Sequence, residues 1–143
     1  MKIRKMLTSD LGPVTDLCRQ LATEGRSLDE MAGRVKLAQA DPRHTQVVAV
    51  DESKRVVAWM HLHETYLVAA EPCLQVLALV VDESCRGKGV GKLMMDFAER
   101  HAASRGLPRV YLHSQVKRTQ AHRFYEGLGY TVLKTQVAFE KRL

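Results

Sequence analysis

The run Leu74 to Val81 is apolar at every position but Gln75, and it passes through Asp82-Glu83-Ser84-Cys85 into Arg86-Gly87-Lys88-Gly89-Val90-Gly91-Lys92 before an amphipathic stretch begins. An apolar run of that length suits a central strand covered on both faces. Three glycines at alternate positions let the following backbone approach a ligand without Cβ clashes. The helix start that comes next presents unpaired N–H groups and the positive end of its dipole to an anion. This strand, glycine turn and helix together demand a mixed α/β architecture and form a cradle for a pyrophosphate-like group.

The rest of the chain supplies the elements around that unit. Lys2 to Met6 reads as a short strand, and Ser9 or Asp10 as the N-cap of a helix with Pro13 in its first turn. Val14, Leu17, Cys18 and Leu21 give that helix its apolar stripe, and Gly25 ends it. Ser27 caps a second helix carrying Leu28, Met31, Val35 and Ala38 and ending before Pro42. Gln46 to Val50 and Arg55 to Leu62 are strands joined by the polar turn Asp51-Glu52-Ser53-Lys54, the second extending toward Tyr66. After the glycine turn, Leu93, Met94, Phe97, Ala98, His101 and Ala102 share one helical face, and Gly106 and Pro108 stop that helix. Val110 to His113 is a short strand. Ala121, Phe124, Tyr125 and Leu128 mark a fourth helix closed by Gly127 and Gly129, and Tyr130 to Phe139 is expected as a final strand. The order is βααβββαβαβ, a mixed α/β layer structure without repeats or linkers, so residues 1–143 are expected to be a single domain.

Composition narrows the classes further. The 143 residues are 45% hydrophobic and 27% charged, which suits a globular domain and disfavours disordered, collagenous and membrane classes. No apolar stretch is long enough to span a bilayer, and Thr8, Ser9 and Asp10 stand where a signal peptide would have its apolar region, so a cytoplasmic location is expected. Cys18, Cys73 and Cys85 are odd in number and lack C-x-x-C spacing, against both a disulfide framework and a zinc knuckle. A net charge of +6 suits an acidic ligand, but the charge is spread from Lys2 to Arg142 with no aromatic stacking motif, so no nucleic-acid partner is expected.

Two phosphate motifs fail on this loop. A Walker A sequence needs Gly at Arg86 and Ser or Thr at Leu93, and a dinucleotide fingerprint starting at Gly87 needs Gly at Lys92. What fits is Arg86-x-x-Gly89-x-Gly91 between a buried strand and a helix, which resembles the coenzyme-binding motif of the GNAT N-acetyltransferases. A second block, Ala121-His122-Arg123-Phe124-Tyr125-Glu126-Gly127-Leu128-Gly129-Tyr130, is similar to that family's later helix and turn. The resemblance extends over nearly the whole chain because the element order is also the family's.

The resemblance implies the acyl-CoA N-acyltransferase fold and acetyl-CoA as cosubstrate. It implies that the pyrophosphate lies on the backbone amides of Arg86, Gly87, Lys88, Gly89, Val90, Gly91 and Lys92, and that pantetheine runs along the main chain of Leu79, Val80 and Val81. It also implies that the fourth and fifth strands splay apart to admit the thioester, with a free N–H of the fourth strand polarising the carbonyl. Tyr125 would face the coenzyme sulfur and give it a proton as general acid, since a phenol and a thiol have similar basicity. Many relatives carry a Glu on the fourth strand where this chain has Gln75, an amide that cannot act as a base. Glu64, His61 and His63 on or near the preceding strand are the remaining candidates for that role. His61 and His63 share a strand face and could donate two metal ligands, but no third is evident in the sequence, so no metal is expected.

Val116-Lys117-Arg118 ahead of Ala121-His122-Arg123-Phe124-Tyr125 further resembles the aminoalkylphosphonate N-acetyltransferases of this superfamily. Arg118 stands where other members often have an Asn near the coenzyme, and its guanidinium could reach phosphate or an anionic acceptor, or sit solvated at a helix start. The expected partner is a small-molecule primary amine, with a protein or peptide amine, or a CoA-binding regulatory module without turnover, as the alternatives. The resemblance also leaves room for a homodimer.

Overall fold

A computed structural model describes residues 1–21 and 27–143, so Gly25, the expected end of the first helix, lies outside the described residues. The chain divides into two compact units, Met1–Leu112 and His113–Leu143. The first holds the strands β1 (Lys2–Lys5), β2 (His44–Val50), β3 (Val56–Thr65), β4 (Cys73–Val81) and β5 (Val110–Leu112), with helices α1 (Leu11–Arg19), α2 (Leu28–Ala40) and α3 (Val90–Ser104). The second holds α4 (Thr119–Gly127). The sheet order is β1-β2-β3-β4-β5, antiparallel up to β4, with β5 parallel to β4 across the α3 crossover.

The helices begin much as the sequence suggests. Ser27 accepts from the Glu30 amide at 3.2 Å while the Glu30 carboxylate accepts from the Ser27 amide at 3.1 Å, a reciprocal capping box that starts α2. The start of α1 differs. Asp10 is the residue before the helix, but its carboxylate faces inward, taking two bonds from Arg4 at 2.6 and 2.8 Å and one from the Leu7 amide at 2.7 Å. The ion pair to β1 wins because a bidentate guanidinium satisfies a buried carboxylate better than one helix amide does.

Asp10 is only 4% exposed, and the Arg4 guanidinium with the Leu7 amide holds its carboxyl below the usual range despite burial. A depressed carboxyl contributes stability above its unfolded pKa and loses it as pH falls through the folded value. Asp10→Asn should therefore cost about 2 kcal/mol or more at pH 7, and the gap from the wild type should narrow in acid denaturation below about pH 4. Urea titrations at several pH values measure both.

Two cores sandwich the sheet. Val14, Leu17 and Cys18 of α1 and Met31 of α2 pack with Val48, Trp59 and Val80 on one face. On the other side α3 packs against β3 and β4, burying Val90, Met94, Met95, Ala98 and Ala102. Met95 belongs to this core although the sequence stripe did not include it. In α2 only Met31 is buried and Leu28 stays half exposed, so that helix covers the sheet with a narrower stripe than its apolar content suggests.

The feature that shapes the site is a bulge in β4. Ala78 lies opposite His61 and Val76 opposite Leu62, so Leu77 has no counterpart on β3. With a strict period of two, Gln75 and Ala78 would point to opposite faces; the extra residue brings Gln75, opposite His63, onto the face of Ala78 and Val80. The parallel ladder with β5 covers Leu74–Val110, Gln75–Tyr111 and Val76–Leu112 and stops there. From Leu77 to Val81, β4 continues without β5. The expectation of a strand covered on both faces holds at Leu74, Val76 and Val80 but fails at Leu77, which is 44% exposed where the ladder ends.

In the second unit α4 closes with a Schellman motif: the Tyr130 amide donates to the Tyr125 carbonyl and the Gly129 amide to the Glu126 carbonyl, both at 3.0 Å. Gly129 takes φ +93° to allow it. Within this unit taken by itself, no strand is assigned where the final one is expected. Residues 130–143 carry neither helix nor strand, and Val132, Leu133, Val137 and Phe139 are exposed.

Candidate active site

The glycine turn is built from Asp82 onward. The Asp82 carboxylate accepts from the Ser84 amide at 2.9 Å and starts a one-turn 3₁₀ helix, Glu83–Cys85. Cys85 is buried inside that turn beside the Arg55 guanidinium at 3.5 Å, which fits a packing residue and not an accessible nucleophile. Gly87 and Gly89 then adopt φ of +72° and +80°, in the left-handed region. A Cβ added at either would meet no atom of the described chain within 4 Å, so the glycines are required by backbone conformation and the space above them is open.

Gly89 is the N-cap of α3 and offers no side-chain acceptor. Among the described residues, the turn's own backbone bonds run from Cys85 to Asp82, from Arg86 to Glu83 and from Leu93 to Gly89. The amides of Val90, Gly91 and Lys92 at the head of α3 have no acceptor within the helix. The charged side chains fold back: Lys88 Nζ donates to the Ser84 carbonyl at 2.8 Å, Arg86 Nε to the Val81 carbonyl at 3.2 Å, and Lys92 pairs with Asp96 at 2.7 Å. Amides and helix dipole therefore make a surface suited to an anion, with the cations alongside. Leu79 and Val81 are half-buried and Val80 is buried on the strand leading into this turn.

The candidates for the base separate onto two faces. Glu64 points to the α3 side, where it is 4% exposed, paired with Arg105 at 2.7 Å and bonded by the Tyr66 hydroxyl at 3.2 Å. It lines a cavity of about 470 Å³ with Arg4, Lys5, Phe97 and His101, none of them in the glycine turn. Both carboxylate oxygens are thus engaged, Oε1 by Arg105 and Oε2 by Arg105 and the Tyr66 hydroxyl. His61 and His63 lie on the opposite face with Gln75, and the register of β2 adds His44, opposite His63. His44 Nδ1 is 2.8 Å from His61 Nε2, and His63 Nδ1 is 2.7 Å from Thr65 Oγ1. Thr65 Oγ1 in turn donates toward Gln75 Oε1 at 3.4 Å or the His63 carbonyl at 3.5 Å. Burial, then the neighbouring His44 and His63, pushes His61 down to about 4, so it is neutral at pH 7. Burial also lowers His63.

His44 is the residue that sequence reasoning missed. Its signal was present in the pairing of two β-rich runs, but only a known register turns that into a contact.

In the second unit, Tyr125 packs its ring against Tyr130 at 6.1 Å and Phe124 at 5.1 Å, held by the Schellman closure. Burial raises its phenol above the ordinary tyrosine value, with the positive charge of Arg118 opposing. Arg118 stands immediately before α4 and its carbonyl accepts from the His122 amide at 3.2 Å. His122 Nε2 lies 3.0 Å from the Gln115 carbonyl, a loop-bracing role.

Residues 14–130 match the acetyltransferase (GNAT) family, a span that includes the β4 bulge, the glycine turn and Tyr125. The chain belongs to that family. Its members are acetyltransferases that take their acyl group from acetyl-CoA. A mycothiol acetyltransferase of Jonesia denitrificans is 30% identical over 114 residues, 77% of this chain but 34% of that protein, so the chain spans about a third of the length of this curated relative. Glucosamine-6-phosphate N-acetyltransferase from Arabidopsis thaliana superposes with a TM-score of 0.81 at 26% identity, covering 97% of each chain. An aminoglycoside antibiotic 6'-N-acetyltransferase from Acinetobacter haemolyticus gives 0.83 at 18% identity, covering 100% of this chain and 99% of that one, which speaks for the GNAT fold alone. No helix among the described residues is long and apolar enough to cross a membrane.

Proposed function

We propose that this GNAT chain transfers the acetyl group of acetyl-CoA directly to a primary amine of a small molecule. The observation that carries the reading is the coincidence of three features on one strand: the bulge at Leu77, the end of the β5 ladder at Val76, and the left-handed glycine turn that begins after Val81. Together they leave a strand edge for the pantetheine arm and lead it to a helix start suited to the pyrophosphate. In this reading the amides from Arg86 to Lys92 hold the pyrophosphate, and the main chain of Leu79, Val80 and Val81 aligns the pantetheine. A free β4 amide beyond the bulge stabilises the oxyanion.

The neutral amine attacks the thioester carbonyl, the tetrahedral intermediate collapses with cleavage of the C–S bond, and the Tyr125 hydroxyl gives its proton to the departing sulfur. The proton lost by the amine passes to solvent, since Gln75 accepts none and Glu64 is held by Arg105. Support for a small amine comes from the likeness to glucosamine-6-phosphate N-acetyltransferase. Arg118 is placed in this reading to meet a phosphate of the coenzyme or an anionic acceptor.

The test is acetyl-CoA thiol release over amino-sugar phosphates, aminoalkylphosphonates, polyamines, aminoglycosides and peptides, with products identified by mass. Turnover confined to small amines supports the proposal. Turnover confined to peptides, or coenzyme binding with no turnover on any amine, overturns it.

A further inference from the structure

Asp41, His44 and His63 each bring one ligand atom to within 4.8 Å of the others, although they come from the end of α2, the start of β2 and the far half of β3. Antiparallel register makes the meeting, because His44 stands directly opposite His63 and their ring centroids are 4.4 Å apart. We propose that these three side chains form a site for one divalent first-row transition cation of the zinc type, bound by two imidazoles and a carboxylate.

The hydrogen bonds around the cluster fix which nitrogens are available. Both acceptors within reach of the Thr65 hydroxyl, Gln75 Oε1 and the His63 carbonyl, are oxygens that only accept, so the Thr65 proton goes to one of them and its oxygen receives the His63 Nδ1–H. That leaves a lone pair on His63 Nε2. On His44, Nδ1 is engaged by His61 Nε2, which leaves Nε2 as the outward nitrogen. Metal-binding histidines commonly donate their second N–H to such a partner, which fixes the tautomer and orients the ring, and here His61 and Thr65 fill that position.

A tetrahedral site with bonds of about 2.0–2.1 Å needs donors about 3.3 Å apart, so the three side chains must close by at most about 1.5 Å. All three are half-buried and can move by that amount. One feature opposes binding: the Arg43 guanidinium contacts both Asp41 oxygens, at 2.7 to 3.2 Å. Arg43 therefore sets the affinity by competing for the carboxylate and repelling the cation.

The site stands independently of acetyl transfer, and its test is read on full-length, chelator-treated protein without coenzyme. Titration with Zn²⁺, and with Co²⁺ for its visible absorption, is expected to show one saturable equivalent. His44→Ala and His63→Gln should each weaken binding at least about tenfold, Arg43→Gln should tighten it, and His122→Ala should leave it unchanged. Thermal unfolding of each apo variant separates lost ligands from lost fold. Absence of saturable binding up to about 100 μM in the wild type, where a structural stabilisation would already be negligible, overturns the site. Binding that persists unchanged in both histidine variants with intact folds also overturns it.

Discussion

Replacing Tyr125 with phenylalanine should lower kcat by about a hundredfold or more while leaving KM for acetyl-CoA within a few-fold of the wild type. The ring contacts with Phe124 and Tyr130 and the backbone closure through Gly129 do not involve the hydroxyl, so the variant keeps its place in α4. In the proposed mechanism, only the proton for the sulfur is lost. Burial raises the phenol above its ordinary value, so Tyr125 is fully protonated across the neutral range and the donor form needs no activation. A raised phenol is also a weaker acid than a thiol, so under the proposed mechanism its proton would move late, as the C–S bond breaks and charge builds on sulfur. The sign of the pH dependence follows: loss of the donor form lies above about pH 10, and any fall in kcat on the acid side comes from protonation of the amine acceptor. An unchanged kcat in Tyr125→Phe would remove the residue from the mechanism, and pH profiles of both proteins complete the measurement.

Gly89→Val should raise KM for acetyl-CoA at least about tenfold, with most of the fold retained. The cause is conformational. Gly89 sits at φ +80° as the residue that opens α3, a backbone state that costs an ordinary residue about 1–2 kcal/mol and a β-branched one more. Open space around its missing Cβ rules out a clash with the described chain as the mechanism. The valine relieves strain by rotating the turn, which misaligns the amides of Val90, Gly91 and Lys92 that are proposed to hold the pyrophosphate. Thermal melts of the coenzyme-free variant should fall by only a few degrees, because Val90, Met94 and Met95 still anchor the helix. Equal loss of kcat and of stability, with KM untouched, would assign the glycine to folding alone.

Much of this architecture is written locally. Ser27 with Glu30, the turn at residues 51–54 and the glycine motif each encode structure within a few residues, where capping and turn chemistry act directly. The bulge at Leu77 is different. In a run such as Leu74 to Val81 nearly every residue is apolar, so the sequence carries no phase from which to tell which face a residue points to or where one extra residue enters. The position of Gln75 on the histidine face was hidden for that reason. Glu64 looked available as a base because Arg105, its partner, lies 41 residues away. His44 and Asp41 stayed out of view because only the register of β2 against β3 joins them to His63.

The claim on which the proposed chemistry rests is that the turn after β4 holds a pyrophosphate. Isothermal titration of acetyl-CoA and of acetyl-phosphopantetheine, which keeps the pantetheine arm but has one phosphate and no pyrophosphate, tests it most directly. Loss of two or more charge-assisted hydrogen bonds should weaken the truncated ligand by about a hundredfold or more in the wild type, and by much less in Gly89→Val. Equal affinity of the wild type for the two ligands would contradict the account.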